Sequence, residues 1–205
     1  MKVKTKKTPL QALFETAEAQ EGLFTAKQAE SAGFSKKNHG YHVDAGNWVR
    51  EHRGIFRLAH FPRSEYEQYV LWALWSCNRQ EKIEGIYSHE TALSFYELSD
   101  LNPAKLHMTV PKVFRRGVKT PKVLVLHRGN LASSNYKTVR GFKVVKPLRA
   151  IQDLYMENTV QIDFLRQAFN EALKRGLVTT SDLKDKKLPE KFRLIVLEWA
   201  LDRTA

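Results

Sequence analysis

The chain has 205 residues, a formal net charge of +12 and a pI near 9.8, which is enough length for two modest domains and a bias towards polyanionic partners. No run of about 18 apolar residues occurs, so no transmembrane helix is expected, and the basic start (residues 1–10) has no apolar segment behind it, so no secretory signal is expected. Cys77 is the single cysteine, which excludes an internal disulfide and a multi-cysteine metal site; set among Trp72, Ala73, Leu74 and Trp75, it reads as a buried, inert thiol of a cytoplasmic protein.

In chain order, the lysine-rich lead (residues 1–8) reads either as an arm for phosphate or as a solvated tail. Pro9 suits a first helical position, and Leu10, Leu13, Phe14 and Ala17 carry a 3.6-residue period, which predicts a helix over 9–19 closed by Gly22. Leu23 and Phe24 are expected to pack beneath the helix that follows. Thr25 caps that helix (26–32), Gly33 ends it, Ser35 caps a second helix (36–45) and Gly46 closes it. Val43 is expected to face inward with Phe34, and Tyr41 with them. Trp48, Val49 and the pair Ile55, Phe56 flank the polar turn 51–54, a hairpin signal. Helix, turn, helix and ribbon make a winged helix-turn-helix plan, which places its second helix in the DNA major groove.

Ser64 followed by Glu67 matches a capping box, predicting a helix over 65–78 with an aromatic stripe of Tyr66, Tyr69, Trp72 and Trp75 that joins the two halves. A short capped helix is expected over 88–98, a turn at Asn102-Pro103, and strands over 106–110, 122–126 (a central one) and 141–145. Pro147 starts a helix through Leu154; helices follow over 162–175 and 190–202, with Thr180 or Ser181 capping a turn between them. The fold class is therefore α+β: an N-terminal winged helix-turn-helix (1–62), then a mixed α/β C-terminal domain (63–205) with a small sheet and flanking helices.

The charge is unevenly distributed. Residues 101–152 contain no Asp or Glu but twelve lysines and arginines, and the rest of the chain balances to zero. The exposed loop expected over 112–120 lies inside this stretch. Lys112, Arg115, Arg116, Lys119, Lys122 and Arg128 form a candidate second basic surface for DNA, RNA or protein. On the winged helix, the candidate DNA contacts are Ser35, Lys36, Lys37, Asn38, His39 and His42 of the second helix and Arg50, His52, Arg53 and Arg57 of the wing. Lysines at a helix start suit phosphate, and Asn38 can pair bidentately with adenine. Gly40, costly inside a helix, allows close approach either to DNA or to another helix. A truncated chain ending at Pro62 is expected to bind DNA more weakly than the full chain, because most of the charge lies beyond it.

Several segments, taken together, resemble the AbiEi family of antitoxins from type IV toxin–antitoxin systems. They are Ala32-Gly33-Phe34-Ser35, then Gly46, Trp48, Val49 and Arg50, then Arg53-Gly54-Ile55-Phe56-Arg57. Ser88-His89-Glu90-Thr91-Ala92-Leu93, His107 to Pro111, Arg115-Arg116, Val125 to Arg128, and Pro147 to Leu154 continue the likeness in order, over about 23–154. Phe56 stands where the family often has Tyr. The resemblance implies a repressor that binds inverted repeats in double-stranded operator DNA through the winged helix. It also implies an antitoxin activity in the C-terminal domain, opposing a nucleotidyltransferase-like toxin without a stable complex.

An enzyme is weighed against this reading. His89 and Glu90 with His107, His127 or Asp153 offer acid–base or metal chemistry, but adjacent residues on a helix point about 100° apart, and no HExxH, P-loop or GxSxG motif occurs. His107 and His127 are expected to face solvent from one sheet as a cross-strand pair or a phosphate contact, and Asp153 to pair with Arg149. No catalytic residue, metal, cofactor or membrane partner is expected; the alternatives are a nuclease or an RNA-binding module using residues 101–152.

Overall fold

In the computed structural model, which describes residues 7–101, 103–185 and 187–202, the first two helices begin in the same way. Thr8 caps helix α1 (Pro9–Glu18) and Thr25 caps α2 (Ala26–Ser31); each threonine side chain accepts an amide of the first turn while Gln11 or Gln28 reaches back to the threonine amide. The predicted lead at residues 1–6 and Asn102 of the predicted turn lie outside the described residues. Two compact units are present, Met1–Gly85 with Thr138–Phe142, and Ile86–Lys137 with Lys143–Ala205.

The first unit continues with strand β1 (Leu23–Thr25), a 3-10 turn (Lys36–Asn38), α3 (His39–Asp44), β2 (Trp48–His52), β3 (Ile55–Leu58) and α4 (Glu67–Trp75). Its sheet has the order β1-β3-β2, all antiparallel, with Phe24 opposite Phe56. Leu23 and Phe24 are buried as expected, Phe24 in one core with Ala29 of α2, and both are residues of a strand. The β2–β3 turn is tighter than expected: Glu51 and His52 belong to β2, and Gly54 takes a φ of +74° that suits glycine. Leu13, Ala17, Phe24, Ala29, Trp48 and Phe56 form the core, with Phe34 and Val43 packed on it. The second helix departs from expectation, since Ser35 makes no cap bond and α-helix begins only at His39. Tyr41 is 68% exposed, not inward.

α4 belongs to the first unit, so that unit extends past residue 62. The capping box at its start does not form. Ser64 Oγ accepts the amide of Tyr66, and the Glu67 carboxylate is drawn instead to Arg57 and Arg63. A buried guanidinium is the stronger partner for a carboxylate than a backbone amide at a solvated helix end.

A five-stranded sheet in the order β6-β5-β4-β8-β7 is built from β4 (Ile86–Tyr87), β5 (Leu106–Val110), β6 (Leu124–Arg128), β7 (Tyr136–Val139) and β8 (Phe142–Val145). β5 runs parallel to β6 and antiparallel to β4, and β4 runs parallel to β8. The apolar run at 122–126, expected in the centre, lies at the edge, where Val125 and Leu126 are only half-buried. Helix α5 (His89–Phe95) packs on α6 (Pro147–Glu157), α6 on α7 (Ile162–Lys174), and α7 on α9 (Glu190–Asp202). Ala150, Ile151 and Leu154 on α6 and Leu165, Ala168, Phe169 and Ala172 on α7 keep the helical period. Between α7 and α9, Thr179 rather than Thr180 or Ser181 caps α8 (Thr180–Leu183), with Asp182 as its reciprocal partner. The expected Arg149–Asp153 pair forms at 2.8 Å, and Cys77 is buried. Among the described residues no helix is long and apolar enough to cross a membrane.

Candidate functional site

The first candidate surface is the 3-10 turn Lys36–Asn38 and the start of α3 in the first unit. Ser35, Lys36, Lys37 and Asn38 are all exposed there, and a Cβ on the exposed Gly40 would meet nothing within 4 Å. The turn is held from behind by rings. His42 stacks on Trp48 at 4.6 Å, Phe34 meets Trp48 edge-on at 5.3 Å, and His39 packs against Trp48 and Phe56. His39 is 5% exposed, and its Nε2 lies 3.2 Å from the Phe34 carbonyl. It therefore leaves the set of surface contacts: it anchors the helix, and the preceding lysines stay in solvent.

The residues of the β2–β3 hairpin divide in a similar way. Arg50 and Arg53 are exposed, whereas His52 lies edge-on against Trp72 at 5.4 Å. Arg57 is 5% exposed and is also withdrawn from the surface. Its Nε is 2.9 Å from Glu51 and 3.6 Å from Glu67, and its Nη1 donates to the carbonyls of Leu58 and Phe61. A register shift between Arg50 and His52 makes Glu51 the extra residue of β2. An arginine bound by two carboxylates and backbone carbonyls is a fastener of the sheet, not a phosphate ligand.

In the second unit, Lys112, Arg115, Arg116, Lys119, Lys122 and Arg128 are all exposed on and around the 111–123 loop. Arg128 also donates to the carbonyls of Lys112 and Phe114, and Phe114 is buried, so Arg128 braces the loop as well as adding charge.

The histidines of this unit do not face solvent. His89, at the start of α5, holds a φ of +54°, strained for a residue with a Cβ. Its ring is 3% exposed and stacks on His127 at 3.5 Å, with the planes 13° apart. His89 Nε2 is 3.0 Å from Glu157 Oε1, and His127 Nδ1 is 3.4 Å from the same oxygen. His127 Nε2 is 3.1 Å from His107 Nδ1, which is 2.9 Å from Glu90 Oε2. His89 and Glu90 thus reach the two ends of one cluster, because the left-handed His89 breaks the 100° step of a regular helix. Burial first, and then His127, hold His89 down at about 4 against the pull of Glu157; burial also lowers His127. Glu157 has no counterpart among the residues singled out from sequence. The period of α6 carried one step past Leu154 would have found it, since 157 shares the face of 154. Asp153, its carboxyl raised to about 6 by burial against the opposing Arg149, is engaged with that arginine instead.

No protein-family model matches the chain, and no curated protein does. Among solved structures, the chain is similar to the RV2827C protein from Mycobacterium tuberculosis, with a TM-score of 0.58 and 10% identity over 95% of this chain and 78% of that one. At that identity the likeness is one of fold.

Proposed function

We propose that this chain is a DNA-binding transcriptional regulator whose first unit is a winged helix-turn-helix. The observation that carries the reading is the outward presentation of Lys36, Lys37 and Asn38 at the start of a short helix whose other side is locked by His39, His42 and Trp48. A recognition helix needs both properties, since contacts to base edges tolerate little misplacement. Arg53 at the hairpin tip extends the same cationic set towards an adjacent stretch of backbone. In a mobility-shift assay, the protein is expected to prefer the promoter of its own gene over random DNA at physiological salt. Alanine at Lys36, Lys37 and Arg53 together weakens binding and lowers the slope of log affinity against log salt by roughly 2–3, at about 0.9 per phosphate contact. Equal affinity for promoter and random DNA would sink the sequence-specific reading.

The resemblance to AbiEi extends the proposal: the regulator is also the antitoxin of a type IV pair, with the basic loop of the second unit as the acting surface. Arg115, Lys119 and Lys122 are the residues to replace, since Arg128 also braces the loop. Their joint change to alanine is expected to abolish protection of cells expressing the nucleotidyltransferase-like toxin; full protection would remove this role from the loop.

A further inference from the structure

Helix α9 is apolar on two sides. Phe192, Val196 and Trp199 are buried in the core of the second unit, where α9 packs on α6, α7 and α8. On the opposite side Leu194, Leu197 and Leu201 are 59%, 39% and 70% exposed, at the spacing of one helical row. The neighbouring α7 is different, since it turns Asp163, Gln167 and Lys174 outward. A helix with a single contact face keeps its other side polar, and one that is apolar all round is covered all round. The outer row of α9 is therefore shaped for a second contact.

The charges beside the row identify its occupant. Lys191 and Glu198 are both exposed on one flank of it, two turns apart. Seven residues of helix span about 10 Å, too far for the two to pair with each other. Neither has an ion-pair partner among the described residues, and Lys191 lies over the ring of Tyr155 at 5.7 Å. We propose that the exposed row of α9 is a self-association surface, occupied by α9 of a second copy of this chain in an antiparallel, twofold contact. A crossing between Leu194 and Ile195 brings Lys191 of each copy opposite Glu198 of the other, and the twofold axis makes the pair twice. It also packs Leu194 and Leu197 of both copies at the centre, with Leu201 at each end. A parallel pair would set lysine on lysine and glutamate on glutamate. Nucleic acid does not fit this face, because Glu190, Glu198 and Asp202 rim it and repel phosphate. Where the regulator reading holds, a twofold dimer has the symmetry of an inverted repeat.

One helix row is small beside the roughly 800 Å² per partner of a standard interface, so the dimer is weak and depends on concentration. Sedimentation equilibrium of the full chain without DNA, over about 2–200 µM, tests the proposal. The mean mass is expected to rise across that range towards that of two chains. Leu194→Glu puts a carboxylate at the centre of the contact and should weaken association about tenfold or more. Its circular dichroism spectrum and urea midpoint should stay those of the wild type, because Leu194 lies outside the core. Lys191→Glu and Glu198→Lys should each weaken the dimer several-fold, and the two together should restore it. A chain that stays monomeric over the whole range overturns the proposal. So does a dimer that survives Leu194→Glu, or a double charge reversal that restores nothing. None of these readouts involves DNA, so failure here and failure of the regulator assignment are separate results.

Discussion

Both units bury charged groups and ring nitrogens, but to different ends. In the first, Arg57, Glu67 and His39 each meet a polar partner inside the unit, and the expected DNA-contact residues that remain are exposed. In the second, His89, His107 and His127 share two carboxylates, Glu90 and Glu157, and one of the three sits on strained backbone. A satisfied buried network specifies a structure, and where it also holds a strained residue, the surrounding contacts over-determine that conformation. Residue type alone does not separate the cases. His42 lies on an indole, while His89 lies on another imidazole with a carboxylate at its edge.

The satisfied side of this contrast breaks most sharply at Arg57. Arg57→Ala removes the buried cation between Glu51 and Glu67, which keep only the exposed Arg63, and takes a donor from three carbonyls. A cost of about 3–5 kcal/mol is expected in urea unfolding, the usual penalty for orphaning a buried charge partner. Arg57→Lys should recover little, since an ammonium cannot reach carbonyls and carboxylates in one plane. DNA affinity measured where the variant is still folded should change far less than stability. An unchanged unfolding midpoint would return Arg57 to the surface contacts. The same network makes the expected weak binding of a chain ending at Pro62 uninformative. That cut removes Glu67 and all of α4, which packs on β1 and β3, so it tests folding before it tests charge.

Asp153 offers a smaller and pH-dependent test. Its carboxyl holds a proton up to about pH 6 in the folded protein, against 3.8 ordinarily, because it is buried. Between those values the folded state binds more protons than the unfolded one, so this group's stabilisation is complete below pH 3.8 and is lost as pH rises through 6. Asn at this position does not titrate. Relative to wild type, Asp153→Asn should therefore gain stability between about pH 4 and pH 7, by at most roughly 3 kcal/mol, and other titrating groups cancel in the difference. A difference that stays flat with pH would mean that Arg149 fully offsets burial.

Local physics was legible in the sequence, and long-range matching was not. The Thr25 cap, the Leu106–Val110 strand, the apolar faces of α6 and α7 and the Arg149–Asp153 pair each depend on neighbours within a few positions. β4 has two residues and exists because β5 and β8 flank it, so no periodicity could announce it. β1 likewise depends on pairing with Arg57, Phe56 and Ile55, far along the chain. Arg57 and His39 looked like contacts because their types suit DNA; only the distant Glu67 and Trp48 turn them inward. Glu157 went unseen for the related reason that its partners are His89 and His127, far back in the chain.

The smallest effect discriminates best between the readings of the first unit's surface. Gly40 lies in α3, and inside a helix glycine costs about 1 kcal/mol relative to alanine. Its exposed position and the open space around it mean that no internal contact requires the missing side chain. Gly40→Ala should therefore raise stability by up to about 1 kcal/mol, seen as a higher urea midpoint. If this face lies against DNA, the added methyl meets the duplex, and promoter affinity falls while stability rises. If the glycine serves only an exposed helix, both measurements are neutral or improve. Opposite signs in the two assays are what a binding face predicts, and Arg57→Ala, which lowers stability while sparing the surface, is the control that runs the other way.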